Sequence, residues 1–228
     1  MIELKDVYKK YPNGVMAVSG LNIKINQGEF VYIVGPSGAG KSTLVKLIYR
    51  EEKPTAGTVT VNGINLSKLR DKRIPYFRRQ IGVVFQDFKL LPTLTVYENI
   101  AFALEVIEQE PSYIRSRVME VLDQVGLKNK ARMLPSELSG GEQQRVSIAR
   151  SIVNKPKVVI ADEPTGNLDP ETSWDIMKIL EDINVTGTTV VMATHNRDIV
   201  NTNKHRVIAI EGGKVVRDEQ LGGYGYED

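Results

Sequence analysis

Phe30-Val-Tyr-Ile-Val34 leads directly into Gly35-Pro-Ser-Gly-Ala-Gly-Lys-Ser42, and Thr43 then opens a helical spacing of apolar residues. A run so short and so apolar reads as a strand buried on both faces. The octet after it has the spelling G-x-x-x-x-G-K-S, in the strand, loop and helix setting that a phosphate-binding loop requires. Gly35, Gly38 and Gly40 let backbone N–H groups converge on phosphate oxygens, with Pro36, Ser37 and Ala39 completing the loop. The following helix offers its positive N-terminal end, and Lys41 offers a point charge to the β- and γ-phosphates. Ser42 is a candidate Mg²⁺ ligand, and Thr43 lies at the same helix start. A glycine-rich turn that binds nothing has the same letters, but the strand and helix on either side count against it.

Three more apolar runs, Ile81-Gly-Val-Val-Phe85, Val158-Val-Ile-Ala161 and Thr189-Val-Val-Met-Ala193, predict companion strands in a parallel sheet covered by helices. One of them ends in Asp162-Glu163. Two adjacent acids at the end of a buried strand are costly unless a cation or a proton compensates them. Asp162 fits a Mg²⁺-directed acid, and Glu163 fits a group that orients or deprotonates an attacking water. A structural ion pair explains such acids equally well by itself; the phosphate loop upstream favours the chemical role.

Further out, Ile2, Leu4 and Val7, then Leu21, Ile23 and Ile25, then Val59-Thr-Val61 before Asn62-Gly63 predict an antiparallel β region. From Thr95 to Ala149 the spacing becomes helical, as in Ile114, Val118, Val121, Leu122 and Val125. The fold expected is therefore α/β, a single domain over residues 1–228 with a helical subdomain inserted over approximately 90–150. Asp169-Pro170 reads as an N-cap and first-turn proline, followed by an apolar stripe of Trp174, Met177, Leu180 and Ile183 assigned to the core. Val207 to Ile210 and Val215-Val216, joined through Glu211-Gly-Gly-Lys214, predict a hairpin.

Leu138-Ser-Gly-Gly-Glu-Gln-Gln-Arg145 has Ser139 and Glu142 at capping-box spacing, so Ser139 marks a helix start, and Gly140 and Gly141 leave its backbone N–H groups accessible. This string resembles the signature of the ATP-binding cassette family, which phosphate-loop proteins at large do not share. The resemblance implies an ATPase, with ATP and Mg²⁺ bound, in which the signature of one chain (Ser139, Gly140, Gly141, Glu142) closes over the γ-phosphate held by the loop of a second chain. It implies a homodimer across two ATP molecules. It also gives Tyr11 the role of stacking on adenine and Gln86 that of contacting Mg²⁺ and the attacking water. Asp169, in Asn167-Leu-Asp169, takes a place in the loop that crosses the dimer interface, and His195 contacts the γ-phosphate. Alone, Tyr11 and His195 would read as structural. His205 matches no such position.

Nearly the whole chain is similar to the cell-division branch of that family, through Val83-Val-Phe-Gln-Asp-Phe-Lys-Leu-Leu-Pro92, Thr95-Val-Tyr-Glu-Asn-Ile100, Ala161-Asp-Glu-Pro-Thr-Gly-Asn-Leu-Asp169 and His205-Arg-Val-Ile-Ala-Ile210. That branch implies an FtsX-like membrane subunit, an indirect link to peptidoglycan hydrolases, and a place on the cytoplasmic side of the cell membrane. Lipoprotein-extracting and export relatives share Gly-Asn-Leu-Asp, so those functions, and solute import, stay open. Phe88 and Leu90 are candidate apolar anchors for a helix of the membrane subunit. Lys68, Arg70, Lys72, Arg73, Arg78 and Arg79 oppose only Asp71, a basic run that reads equally as a solvated surface or a partner or lipid contact.

Composition agrees with these readings. Apolar residues at 41% and charged residues at 25% suit a folded globular chain rather than a disordered one. A formal net charge of +2 gives no electrostatic case for nucleic acid, and no long coiled coil of the DNA-repair type fits between Gln86 and Leu138. The absence of cysteine excludes disulfides and thiolate metal sites, and two histidines make a histidine-rich metal site an unsuitable reading. No apolar run reaches the roughly 18 residues of a membrane helix.

Overall fold

The computed structural model describes residues 1–225. Strands β1 (Ile2–Lys10), β2 (Met16–Ile25), β4 (Ala56–Val61) and β5 (Ile64–Asn65) form an antiparallel sheet in the order β2-β1-β4-β5. Strands β3 (Phe30–Val34), β6 (Ile81–Val84), β7 (Val158–Asp162), β8 (Thr189–Ala193), β9 (Arg206–Glu211) and β10 (Lys214–Glu219) form the second sheet, ordered β10-β9-β3-β8-β7-β6. All neighbours in it are parallel except the β9–β10 hairpin. Gly212 and Gly213 supply the two positive φ angles, 53° and 75°, that this tight hairpin turn requires.

The unbroken apolar runs are explained by two cores. Phe30, Tyr32 and Val34 of β3, Val159 and Ala161 of β7, and Val190 and Met192 of β8 face one apolar cluster, shared with helices α3 (Val96–Glu105), α4 (Pro111–Gln124), α5 (Gly140–Ile152) and α6 (Pro170–Val185). The alternate residues, Val31 and Ile33, Val158 and Ile160, Val191 and Ala193, face α1 (Lys41–Ile48) and the antiparallel sheet. Successive side chains of a strand point to opposite faces, so a sheet covered on both sides needs apolar residues at every position. Each fully buried Val, Ile or Met side chain among them contributes about 1.5–3 kcal/mol, which helps β7 carry its terminal Asp162 into a half-buried position. The odd interval between Leu4 and Val7, both buried, coincides with a register shift in β1.

One reading of α6 needs correction. Met177 and Leu180 are fully buried, but Trp174 is 37% exposed, and the buried face runs instead through Ser173, Ile176, Met177 and Leu180. Trp174 follows Ser173 by one position, about 100° around the helix, and so lies beyond the inward stripe. Two short α-helices, α2 (Ile74–Arg78) and α7 (Arg197–Thr202), and four 3-10 helices at Leu66–Lys68, Asp71–Arg73, Lys128–Lys130 and Pro135–Glu137 complete the described elements.

Candidate nucleotide and hydrolysis site

Because β3, β6, β7 and β8 are parallel, their C-terminal ends lie along one edge of the sheet, where open α/β sheets bind ligands. That edge gathers Gly35 after β3, Gln86 shortly after β6, Asp162 and Glu163 at the end of β7, and His195 after β8.

At the phosphate loop, Gly35 and Gly40 have φ of 145° and 108°. A Cβ at Gly35 would lie 2.1 Å from the Ile210 carbonyl oxygen, and one at Gly40 would lie 2.4 Å from that of Ala17. Only glycine fits at these two positions. Gly40 gives α1 no side-chain cap, as is also the case at α2 and α4, whereas α3, α5, α6 and α7 are capped by Thr95, Ser139, Asp169 and Asn196. With no side-chain cap and a glycine loop before it, α1 leaves its first N–H groups open to an external acceptor, as an anion site requires. The Lys41 ammonium is held in the loop, donating to the carbonyl oxygens of Gly35 at 2.8 Å and Pro36 at 3.1 Å. Tyr11, between β1 and β2, joins this helix start through a hydroxyl contact of 3.3 Å with Thr43 Oγ1, and Lys9 Nζ lies 5.0 Å from its ring centroid.

Ser42 Oγ donates to Asp162 Oδ1 at 3.4 Å. Burial pushes the Asp162 carboxyl above its ordinary range, and the charge of Glu163 adds to the shift. A divalent cation between hydroxyl and carboxylate would relieve both effects. Among the described residues no cluster of three or more His, Asp or Glu side chains could hold a metal, so a cation here would take much of its shell from phosphate and water. That is the manner of Mg²⁺, and the residues fit it.

Glu163 adopts a left-handed backbone, φ 50°, strained for a residue with a side chain. Its N–H donates to Ala193 O at 2.9 Å, and Gln144, buried in α5, donates to Pro164 O at 2.6 Å. The Glu163 carboxylate accepts from His195 N at 3.3 Å, and its Oε2 lies 2.6 Å from His195 Nδ1. Gln86 is tied to Asn167 twice, Nε2 to Oδ1 at 3.4 Å and Asn167 Nδ2 to Gln86 O at 3.3 Å.

The signature segment carries the remaining candidate residues. Ser139 Oγ accepts from Glu142 N at 3.3 Å and Glu142 Oε2 from Ser139 N at 3.0 Å, a reciprocal cap. Glu142 also pairs with Lys130, whose hydrogen bond holds its carboxyl below the ordinary range. The two glycines serve different purposes. Gly140 is exposed, with Leu168 and Phe88 alongside, whereas a Cβ at buried Gly141 would come within 2.2 Å of Thr172 Cγ2 in α6. Asp169 caps α6 by accepting from Thr172 N at 3.0 Å, and the hydrogen bonds from Thr172 keep its carboxyl low. One chain brings Lys41, Ser42, Asp162, Glu163 and His195 to one sheet edge, and among the described residues no hydrogen bond joins 139–142 to 35–43.

Three supporting residues were not singled out from sequence. Gln144 and Asn167 lie inside motifs quoted above, but nothing in their spacing announces their partners; Arg150 has no sequence signal at all. Phe88 is half-buried beside Gly140, and Leu90 packs on the core, while Phe102 and Val106 of the α3 region are exposed. His205 stacks on Phe30, centroids 4.3 Å apart, and is structural. In the basic run, Arg78 donates to the carbonyls of Tyr49 and Arg50, and the guanidinium groups of Arg73 and Arg79 lie 6.0 and 4.8 Å from the Tyr76 ring centroid.

The model of the ABC transporter family matches residues 18–166. Over its full 228 residues the chain is 69% identical to the cell division ATP-binding protein FtsE of Bacillus subtilis, covering 100% of both. It is 44% identical to the protein of that name from Escherichia coli over 227 residues, again covering 100% of both. Among solved structures it is similar to a dimeric ATP-binding cassette in a post-hydrolysis state bound to ADP and Pi, at a TM-score of 0.88 and 40% identity, covering 98% of this chain and 100% of that one. No described helix is long and apolar enough to cross a membrane. The chain belongs to the ABC transporter family, as an ATP-hydrolysing cassette of the FtsE branch.

Proposed function

We propose that this chain drives a membrane complex in cell division, by closing two copies head to tail on two ATP molecules and passing the motion to an FtsX-like membrane subunit that acts on peptidoglycan hydrolases. The protein would then lie at the cytoplasmic face of the membrane, held by its partner. One observation carries the catalytic part: the Glu163 carboxylate is fixed by His195 at 2.6 Å, beside Asp162 and Ser42, on the sheet edge that also carries Lys41.

In this reading Lys41 and the N–H groups of α1 receive the phosphates, and Tyr11 receives the adenine. Ser42, Asp162 and Gln86 would hold Mg²⁺, which when bound neutralises charge on the β- and γ-phosphates. Glu163 orients the attacking water and accepts its proton. His195 holds Glu163 in place with one side of its ring and presents the other to the γ-phosphate. Ser139 and the open N–H of Gly140 reach the γ-phosphate of the partner copy, in keeping with the lack, among the described residues, of any hydrogen bond from them to the phosphate loop of their own chain. Gln86, hinged to Asn167, links the site to the segment leading into the helical region.

The test is co-purification from detergent-solubilised cells together with the phenotype of Glu163→Gln. The proposal expects a membrane subunit with a large extracellular loop and a division defect from the variant. Recovery of a solute-import or lipoprotein-extracting permease instead, with normal division, would overturn the division role and leave the ATPase intact.

A further inference from the structure

Phe88 and Lys89 have φ of 58° and 51°, the only adjacent pair of non-glycine residues with positive φ among those described. L side chains disfavour this conformation, so two in succession need outside support. The turn they form begins two residues after Gln86, with Phe88 N donating to Phe85 O at 3.4 Å and Lys89 N to Asp87 O at 2.6 Å. The support comes from Arg150. Its Nη2 donates to Phe88 O at 2.9 Å and its Nη1 to Lys89 O at 2.7 Å.

Arg150 has no carboxylate partner among the described residues, and burial lowers its pKa. A half-buried guanidinium whose strong contacts are two main-chain carbonyls is costly to place, and its rigid fork is matched to two adjacent acceptors. Its position in α5 gives the contact a further meaning. Ser139 caps the first turn of α5, Gln144 holds Pro164 beside Glu163 from the second, and Arg150 holds the turn after Gln86 from the last. One helix, roughly 20 Å long, thus touches three stretches of the site.

We infer that Arg150 is a positioning residue for Gln86, and that α5 carries movement of the signature, when it meets the partner copy's nucleotide, to the Gln86 turn of its own chain. The inference rests on the ATPase reading given above. It assigns Arg150 no contact with nucleotide or water.

The test compares the full chain with Arg150→Met and Arg150→Lys, each with and without Lys89→Gly, because glycine adopts the left-handed conformation without the clamp. Arg150→Met should lower kcat about tenfold while KM for ATP stays within about threefold. Amide hydrogen exchange over 86–90 should rise about tenfold, and Lys89→Gly should recover a large part of both losses. A purely structural arginine would lower thermal stability without this local rescue. If Arg150→Met folds poorly, Arg150→Lys, which keeps the charge and loses the fork, carries the comparison. Turnover within twofold of the parent, or losses that Lys89→Gly leaves unchanged, would overturn the inference. Failure of the ATPase reading would appear separately, as absent turnover in the parent chain; exchange over 86–90 would then still decide whether Arg150 holds the turn.

Discussion

Glu163 Oε2 lies 2.6 Å from Nδ1 of His195, and the same carboxylate accepts the His195 backbone N–H at 3.3 Å. Two adjacent strand ends thereby fix the carboxylate in one direction despite the strained backbone beneath it. His195→Ala keeps the backbone N–H bond and loses only the ring contact, and should lower kcat by about 10–100-fold, with ATP affinity changed much less, since the ring contact orients the reacting group. Steady-state phosphate release beside equilibrium nucleotide binding measures both.

Asp162 predicts an opposition between stability and activity. An acid whose folded-state pKa is raised holds its proton more tightly in the fold than in the unfolded chain. Its stability contribution is therefore most favourable below the ordinary value of 3.8 and declines as pH rises to the raised value. Above that window the penalty is complete. Asp162→Asn should raise the thermal midpoint of the metal-free, nucleotide-free protein at neutral pH and lower Mg²⁺-dependent turnover by about 100-fold or more. An unchanged midpoint would mean that the buried carboxylate carries no such penalty.

Gly141 is required by packing. Gly141→Ala should destabilise the fold by about 1–3 kcal/mol through the overlap with Thr172 Cγ2, whereas Gly140→Ala should be far milder, its nearest neighbour lying at 3.5 Å. Thr172→Ser removes that methyl and should restore most of the loss in the double variant. Denaturant unfolding of the four proteins gives the comparison.

Tyr11→Ala should weaken ATP binding by about 1–3 kcal/mol, the scale of base–aromatic stacking. Tyr11→Phe keeps the ring and loses only the 3.3 Å contact with Thr43, so its effect should be small. Similar losses in both variants, read by nucleotide titration, would assign the role to the hydroxyl rather than the ring.

The sequence made the sheet legible because burial on both faces writes itself as unbroken apolar runs, and β3, β7 and β8 appear where those runs lie. Ser139, Asp169 and the Gly212-Gly213 turn were legible for a similar reason, since caps and tight turns restrict residue type locally. Trp174 was misassigned because apolar spacing fixes a stripe only to within one position when the neighbouring residue is small enough to be buried, as Ser173 is. The positive φ of Glu163, Phe88 and Lys89 left no trace in the letters, because tertiary contacts impose it on residues that do not favour it. Gln144, Asn167 and Arg150 act through partners 20, 81 and about 60 residues away, beyond any local pattern.

The proposed site built from two chains is tested most directly by mixing Lys41→Ala chains with Ser139→Arg chains. Each variant alone has two defective sites per dimer, whereas a mixed dimer recovers one complete site from the Lys41 of one chain and the Ser139 of the other. ATPase activity should be nearly absent from either variant and should appear on mixing, reaching at most about a quarter of the parent's specific activity, from half the dimers carrying one of two sites. A mixture no more active than its separate components, with mixed dimers shown to form, would contradict a site built from two chains.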